Sequence, residues 1–179
     1  MSDRYFAFLR AINTGNRRLT NEQLLAPFHQ LGFVDVAAYQ AAGNVTFRSE
    51  VPDLVDERRI EAALDESYGF PAPTFVRSAA EVHAIATAEP FAAADVAGTA
   101  GKVQVTFLRT TPSPEAVEQV LSLVPPEDRV VVEARHWYWL PMEGVSTSEL
   151  PVSRIELLLG EMTMRTLGTI DRMAARFAD

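Results

Sequence analysis

The chain has 179 residues and a formal net charge of −8, from 24 acidic and 16 basic side chains. This acidic balance argues against a nucleic-acid binder, and the lack of cysteine excludes disulfides, thiolate catalysis and Cys-ligated metal clusters. No apolar run approaches the ~20 residues that cross a bilayer, and the N-terminus lacks a signal-peptide pattern, so we expect a cytoplasmic protein without membrane association.

The first half of the chain predicts the element order β-α-β-β-α-β-α. Thr20 and Gln23 form a capping box that starts the first helix, and Gly32 ends it. A second helix follows from apolar residues at i, i+4 spacing, with its acidic residues, including Asp56-Glu57 and Asp65-Glu66, on a solvated face. The predicted strands are Tyr5–Ala11, Val36–Gln40, Val45–Arg48 and Thr74–Arg77, with a tight hairpin turn at Gly43-Asn44.

The second half of the chain predicts the same order again. Ser113-Pro114 caps and opens a helix, and a further helix begins near Ser148 and ends at Leu159. The segment Glu89–Gly101 is rich in Ala, Gly and Asp and is predicted as a linker. The predicted strands are Lys102–Arg109, Arg129–Glu133, Trp137–Leu140 and Met162–Arg165, and a last helix spans Ile170 to Phe177.

A weak internal repeat supports duplication of this order. Phe75–Ser78 and Thr163–Thr166 align with each other, and the apolar positions of the helices that follow keep the same offset. We therefore predict an α+β fold of two tandem ferredoxin-like (βαββαβ) lobes, each followed by an additional helix. The N-terminal lobe covers residues 1–90, and the C-terminal lobe with its terminal helix covers residues 100–179.

The loop Asn13–Arg18 joins the first predicted strand to a capped helix and has the composition of an anion site. Gly15 and Asn16 adopt left-handed backbone angles at low cost, which would turn successive amides into one concavity beside a helix start. Arg10 at the strand end and Arg17 or Arg18 in the loop could bind a carboxylate or phosphate with paired hydrogen bonds. The alternative is a solvated turn whose arginines face water or pair with acids.

Other motifs favour structural interpretations. The segment Gly98–Lys102 superficially resembles a phosphate loop, but its glycine spacing is too short and a strand follows it. The histidines His29, His83 and His136 lie far apart without partners at metal-ligand spacing, so we predict no metal site.

Trp137 and Trp139 lie two residues apart on a predicted strand, so their rings share one face. Such aromatic residues on an open sheet can stack nucleic-acid bases. The interpretation that we favour is that the rings fill the contact between the two halves, because the chain is acidic.

Three segments carry a resemblance to a known family. They are Leu9-Arg10-Ala11-Ile12-Asn13-Thr14-Gly15-Asn16-Arg17, Tyr39-Gln40-Ala41-Ala42-Gly43-Asn44-Val45-Thr46-Phe47 and Thr163-Met164-Arg165-Thr166-Leu167-Gly168-Thr169. The chain resembles the domain of unknown function 1697 family, whose patterns there are Leu-Arg-Gly-Ile-Asn-Val-Gly-Gly and a basic residue, Tyr-x-x-Ser-Gly-Asn-Val-x-Phe, and Thr-x-Arg-Asn-x-x-Thr. Ala11 and Asn16 thus stand where the family has glycine, Ala42 where it has serine, and Thr166 where it has asparagine. The resemblance implies a two-lobed ferredoxin-like fold and supplies no substrate, cofactor or catalytic residue.

The leading hypothesis from these observations is a protein that binds a small anionic ligand near the first strand–helix loop, between the lobes. One alternative is an enzyme on a small acidic substrate, and another is a module that binds RNA or protein through an open sheet. No cofactor, metal or catalytic residue is predicted, and neither the ligand nor the oligomeric state follows from the sequence. The predicted ligand-binding residues are Arg10, Asn13, Gly15, Asn16, Arg17, Asn44 and, from the second lobe, Arg165.

Overall fold

The computed structural model describes residues 2–15, 18–40 and 42–178. Within these ranges the chain forms eight strands and seven α-helices, and the strands make two four-stranded antiparallel sheets. The protein is therefore α+β, as the sequence pattern predicted. The chain divides into two compact units: unit 1 contains Met1–Ala84 and Met173–Asp179, and unit 2 contains Ile85–Arg172.

The first half of the chain follows the predicted element order, with one short 3-10 helix added at Pro52–Leu54. The capping box at the first helix is confirmed, since the Thr20 amide donates to Gln23 Oε1 (2.9 Å) and the Gln23 amide donates to Thr20 Oγ1 (3.2 Å). These elements are β1 (Asp3–Leu9), α1 (Asn21–Gln30), β2 (Val34–Ala38), β3 (Asn44–Ser49), α2 (Glu57–Tyr68), β4 (Thr74–Ser78) and α3 (Ala79–Thr87).

The first sheet has the strand order β2-β3-β1-β4. One face of this sheet packs on the apolar faces of α1 and α2, because strand residues alternate between the two faces and every third or fourth helix residue shares one side. Phe47 lies near the centre of this core, with its ring 4.3 Å from that of Phe33 and 5.5 Å from that of Phe28. The fully buried members of the core include Ala7, Leu9, Leu24, Phe28, Val45, Phe47, Ile60 and Leu64.

The opposite face of the first sheet carries Arg4 and Phe6, which alternate with the core residues of β1. The C-terminal segment of unit 1 packs here: the Phe177 ring lies 6.4 Å from that of Phe6, and the Arg4 guanidinium lies 5.8 Å from the Phe177 ring centre. Arg4 also forms an ion pair with Asp35 of β2 and donates to Thr46 Oγ1 at 3.2 Å. Arg4 therefore links β1 to β2, to β3 and to the C-terminal segment of unit 1.

The hairpin between β2 and β3 differs from the predicted tight turn. Its connection spans residues 39–43, and Asn44 is already the first residue of β3. The loop is closed by a hydrogen bond from the Tyr39 amide to the Asn44 carbonyl, at 2.8 Å. Positive φ angles at Gln40 (56°) and Gly43 (70°) let the chain reverse over these residues.

The prediction that the acidic residues of α2 lie on a solvated face is wrong at Glu57, which contacts β4. The Glu57 carboxylate accepts from the Val76 amide of β4 (2.8 Å) and lies 3.6 Å from the guanidinium of Arg77, whose side chain is 1% exposed. One helical turn on, Glu61 accepts from the Thr74 amide at 2.7 Å. Carboxylates of α2 therefore take up amide groups along the outer edge of β4.

The second half of the chain adds α4 within the segment that was predicted as a linker. The helix predicted to begin near Ser148 begins at Val152 instead, because Ser148 Oγ donates to the Asp128 carboxylate and Pro151 stands at the helix start. These elements are α4 (Ala93–Gly98), β5 (Gln104–Leu108), α5 (Pro114–Leu121), β6 (Arg129–Glu133), β7 (His136–Leu140), α6 (Val152–Leu159), β8 (Met162–Thr166) and α7 (Leu167–Arg176).

The second sheet has the strand order β6-β7-β5-β8, which matches the first sheet position for position. Trp137 and Trp139 project from β7 into the core of unit 2 itself, together with Leu108, Val120 and Ile155. The interpretation that these rings fill a contact between the halves is therefore replaced by a role inside one unit. Trp139 Nε1 donates to Asp128 at 2.9 Å, which satisfies its buried N–H. Through the described part of the chain, no helix is long and apolar enough to cross a membrane.

Candidate anion-binding loop

The loop between β1 and α1 has an unusual backbone. Ala11, Asn13 and Gly15 have positive φ angles of 60°, 55° and 57°, whereas the intervening Ile12 and Thr14 do not. A left-handed residue next to residues with negative φ reorients the N–H groups around it, and a concavity of amides formed in this way attracts anions. The alternation therefore makes this loop the strongest candidate in unit 1 for binding a negatively charged group.

Backbone contacts with two neighbouring segments hold the start of the loop. The Leu9 amide donates to the Gly43 carbonyl at 2.7 Å, and the Arg10 amide donates to the Pro73 carbonyl at 2.8 Å. Ile12 is buried against the hairpin, so that a Cβ atom added to Gly43 would lie only 2.9 Å from the Ile12 Cβ and from the Leu9 carbonyl oxygen. The hairpin thus fixes the loop by direct contact.

The end of the loop is fixed by a side chain that the sequence had suggested as a ligand. Asn13 Oδ1 accepts from the Leu19 amide at 2.8 Å, which ties the middle of the loop to the residue before the Thr20 cap. This Asn13 oxygen therefore has a structural role. Asparagine suits the position because it tolerates the left-handed backbone and can bond a nearby amide.

The predicted site residues of the loop lie together. Arg10 directly follows β1 and is half-buried, and Gly15 is exposed, with nothing from more distant residues within 4 Å of an added Cβ atom. Arg18 is exposed just before α1. Asn16 and Arg17, also predicted as ligand-binding residues, lie outside the described residues.

The two remaining predicted residues belong to strands. Asn44 is fully buried, and its Nδ2 donates to the Tyr39 carbonyl at 3.2 Å, so this amide closes the hairpin that supports the loop. Arg165 belongs to β8 in unit 2, where it donates to Thr163 Oγ1 (3.0 Å) and the Met164 carbonyl (2.7 Å). Burial lowers the pKa of Arg165 to about 10, which leaves the side chain charged at neutral pH.

Unit 2 contains concavities of a different chemistry. One, of about 390 Å³, is lined by acidic side chains that include Glu127, Glu143 and Glu149, and would repel an anion. Another of the same volume is lined mainly by apolar residues, with Phe91 and Val96 among them. Within the described ranges, no cluster of three or more His, Asp or Glu side chains is placed to hold a metal ion.

The glycine-rich segment before β5, which we did not interpret as a phosphate loop, packs against the segment that follows β7. A Cβ atom on Gly101 would lie 1.9 Å from the Pro141 carbonyl oxygen, so the backbones of the two segments touch. Thr99 Oγ1 accepts from the Gly101 amide (2.8 Å) and donates to the Met142 carbonyl (2.8 Å). These contacts explain the need for glycine there without a ligand.

Sequence reasoning missed three features of the loop. The left-handed backbone at Ala11 had no signal in the residue itself, although glycine stands there in the family pattern that the chain resembles. The close approach of Gly43 and the Pro73 carbonyl are contacts between segments far apart in the sequence, which local patterns do not encode.

Comparisons with known proteins identify a family and a solved structure of the same fold. The profile of the family described as "Protein of unknown function (DUF1697)" matches residues 2–138. A search of curated proteins finds no match. Among solved structures, the conserved bacterial protein SP0830 from Streptococcus pneumoniae is similar at a TM-score of 0.73 and 18% identity, with 100% of both chains covered. At this identity the likeness shows a shared fold.

Proposed function

Because the chain belongs to the DUF1697 family of proteins of unknown function, we propose its function from the geometry of its own loop. The protein binds a small phosphorylated or carboxylated molecule in the cytoplasm, through backbone amides of the β1–α1 loop and the neighbouring arginines. The observation that carries the proposal is the alternation of φ at Ala11, Asn13 and Gly15. Ala11 makes it notable, because left-handed backbone costs a residue with a Cβ about 1–2 kcal/mol.

Charge around the loop supports the choice of an anion. Arg10 and Arg18 flank the described part of the loop, and Arg17 lies between them in the sequence. The chain as a whole carries a net charge of −8, so this segment is locally opposite in sign to the rest of the protein. Guanidinium groups beside oriented amides form short, charge-assisted hydrogen bonds to phosphate and carboxylate oxygens. On this proposal Arg10 and Gly15 contact the ligand, while Asn13 and Asn44 hold the loop in shape.

We also propose that the fold arose by duplication of a ferredoxin-like unit, with lobes at residues 1–90 and 100–179. The matching strand orders β2-β3-β1-β4 and β6-β7-β5-β8 support this, because each places the third strand between the first two. Each βαββαβ set is followed by a helix, α3 or α7. The contribution of Arg165 to a ligand site stays a prediction, as does the hypothesis of an enzyme on an acidic substrate.

The hypothesis of an RNA-binding open sheet loses its main support. It required Trp137 and Trp139 to be exposed on a basic rim, and both rings are buried in the core of unit 2. Stacking on a nucleic-acid base needs an accessible ring face. We therefore propose a small anion in preference to nucleic acid.

The proposal is tested by isothermal titration calorimetry with inorganic phosphate, pyrophosphate and citrate at constant ionic strength. Wild-type protein is expected to bind at least one of these probes, and Arg10→Ala to weaken that binding about tenfold or more, because a charge-assisted contact is worth ~1.5–3 kcal/mol. Arg58→Ala, at an exposed arginine of α2 in the same unit, is the matched control and should bind like the wild type. Absence of binding, or equal weakening in both variants, would contradict the proposal.

A further inference from the structure

We propose that β6 is a self-pairing edge, onto which the β6 strand of a second copy of this chain adds in antiparallel orientation. β6 is the outermost strand of the second sheet, and among the described residues it pairs only with β7. An edge strand presents a row of backbone donors and acceptors that favour pairing with another strand unless the protein blocks it. The proposal is independent of the ligand loop, which lies in unit 1.

Two other sheet edges show how this protein blocks such pairing. On the outer edge of β4, the amides of Thr74, Val76 and Ser78 are each taken by a glutamate side chain, at 2.7, 2.8 and 2.8 Å respectively. On β2, the register shifts between Val34 and Ala37 at a bulge. Capped amides and bulges are standard ways to prevent the addition of a strand.

β6 shows neither device. Its register with β7 is unbroken from Arg129 to Glu133, and no side chain in the described ranges bonds the backbone of the three valines between them. The two-residue connection to His136 makes Glu133 and His136 the closing hydrogen-bonded pair of the hairpin. Alternation along the strand then directs the N–H and C=O groups of Val130 and Val132 to the free edge.

The strand sequence is complementary to itself in antiparallel orientation. It reads Arg129-Val130-Val131-Val132-Glu133. With Val131 on a two-fold axis, Arg129 faces Glu133 of the second copy at both ends, and Val130 faces Val132. Opposite charges directly across a strand pair stabilise it, as do paired β-branched residues. Complementary charge at both ends therefore indicates a second copy of this chain as the occupant.

The contacts that Arg129 and Glu133 already make within the chain are compatible with this pairing. Arg129 Nη1 donates to the carbonyls of Pro126, Glu127 and Asp128, and its Nε lies 3.7 Å from Asp95, yet the side chain is 44% exposed. Glu133 is 54% exposed. Five paired residues bury less than the ~1,600 Å² of a typical stable interface, so we expect reversible association at high concentration.

A cysteine crosslink tests the pairing directly, because the chain has no native cysteine. The backbone N–H and C=O groups of Val131 point to β7 and not to the free edge. Val131 and Val131 of the second copy would therefore form a non-hydrogen-bonded pair, whose Cα atoms lie about 4.5 Å apart. This spacing falls within the ~4.4–6.8 Å range of disulfides. Val131→Cys is expected to give disulfide-linked dimers under mild oxidation at least tenfold faster than Val34→Cys, a matched control at an exposed valine of the bulged edge.

Sedimentation of the cysteine-free chain provides the second readout. Wild-type protein is expected to show a weight-average mass that rises with concentration, and Glu133→Arg to stay monomeric, because the new guanidinium would face Arg129 of the second copy. Glu118→Arg on α5, at an exposed glutamate of the same unit, makes the same charge change and should associate like the wild type. Equal crosslinking of the two cysteine variants, or a wild-type mass that stays monomeric throughout, would overturn the proposal.

Discussion

Replacing Gly43 by alanine should destabilise unit 1 by two separable effects. The backbone at Gly43 has φ of +70°, which costs a residue with a Cβ about 1–2 kcal/mol. The new methyl group would also lie 2.9 Å from both the Ile12 Cβ and the Leu9 carbonyl oxygen. Inserting a methyl into a well-packed site costs about 1–3 kcal/mol more, so we expect a total loss of about 2–5 kcal/mol.

Gly69 offers a matched control for the backbone part of this loss. It ends α2 with the same φ of +70°, but nothing lies within 4 Å of the Cβ that alanine would add. Gly69→Ala should therefore show only the backbone cost, about 1–2 kcal/mol. The difference between the variants measures how closely the hairpin packs on the β1–α1 loop.

The assay is urea unfolding of both variants followed by far-ultraviolet circular dichroism, which reports on helices and sheets throughout the chain. Tryptophan fluorescence is a useful second probe, because Trp137 and Trp139 both belong to unit 2 and unit 2 does not contain the substitution. Loss of stability in Gly43→Ala that is no larger than in Gly69→Ala would refute the close contact. In the calorimetric assay, a displaced loop should also weaken anion binding in Gly43→Ala and leave it intact in Gly69→Ala.

Three further substitutions test other parts of the account. Ala11→Gly should raise the free energy of unfolding by about 0.5–1 kcal/mol, because relief of the left-handed strain exceeds the entropy that glycine adds to the unfolded chain. A lower free energy of unfolding in urea would argue against the left-handed backbone at Ala11. Glu57→Ala should cost about 3–5 kcal/mol in the same assay, since it leaves the buried Arg77 without this carboxylate, and Glu57→Gln should cost less. The hydrogen bond and charge of Arg4, with Arg48 adding to them, lower the pKa of Asp35 below its usual 3.8, so this pair stabilises the protein above that pH and the effect is lost as pH falls through the lowered pKa. Asp35→Asn should therefore flatten the decline in melting temperature below about pH 4, and an unchanged decline would count against the pair.

Local features of the fold could be read from the sequence because neighbouring residues determine them. The cap at Thr20 needs only Gln23 three residues later, and both hydrogen bonds are present. The apolar spacing of Ile60 and Leu64 likewise predicted the buried face of α2. Such patterns were enough to give the order of strands and helices in both halves, apart from α4 and the short 3-10 helix at Pro52–Leu54.

Features that depend on contacts between distant segments could not be read in this way. Glu57 looked like part of a solvated face because nothing nearby in the sequence shows that its carboxylate reaches β4, about twenty residues later. Trp137 and Trp139 could be assigned to one face of a strand, but which surface that face would cover depends on the packing of α5 and α6.

The candidate site shows the same division. The sequence placed Arg10 at the end of a strand, and Asn13 and Gly15 in the loop that leads to a capped helix. In the structure β1 already ends at Leu9, so all three residues lie in the connection between β1 and α1. It could not show that the Asn13 oxygen is taken by the Leu19 amide, or that Asn44 is buried. Both side chains looked like ligand donors because an amide that binds its own backbone and one that binds a ligand are identical in sequence.

The most direct test of the anion-binding loop is a titration of ¹⁵N-labelled protein with pyrophosphate, followed by amide chemical shifts. If the alternating backbone binds anions, the amides of residues 11–15 should shift together, with one saturating curve, at constant ionic strength. A titration in which these amides stay still, or shift no more than exposed amides elsewhere in the chain, would contradict the account.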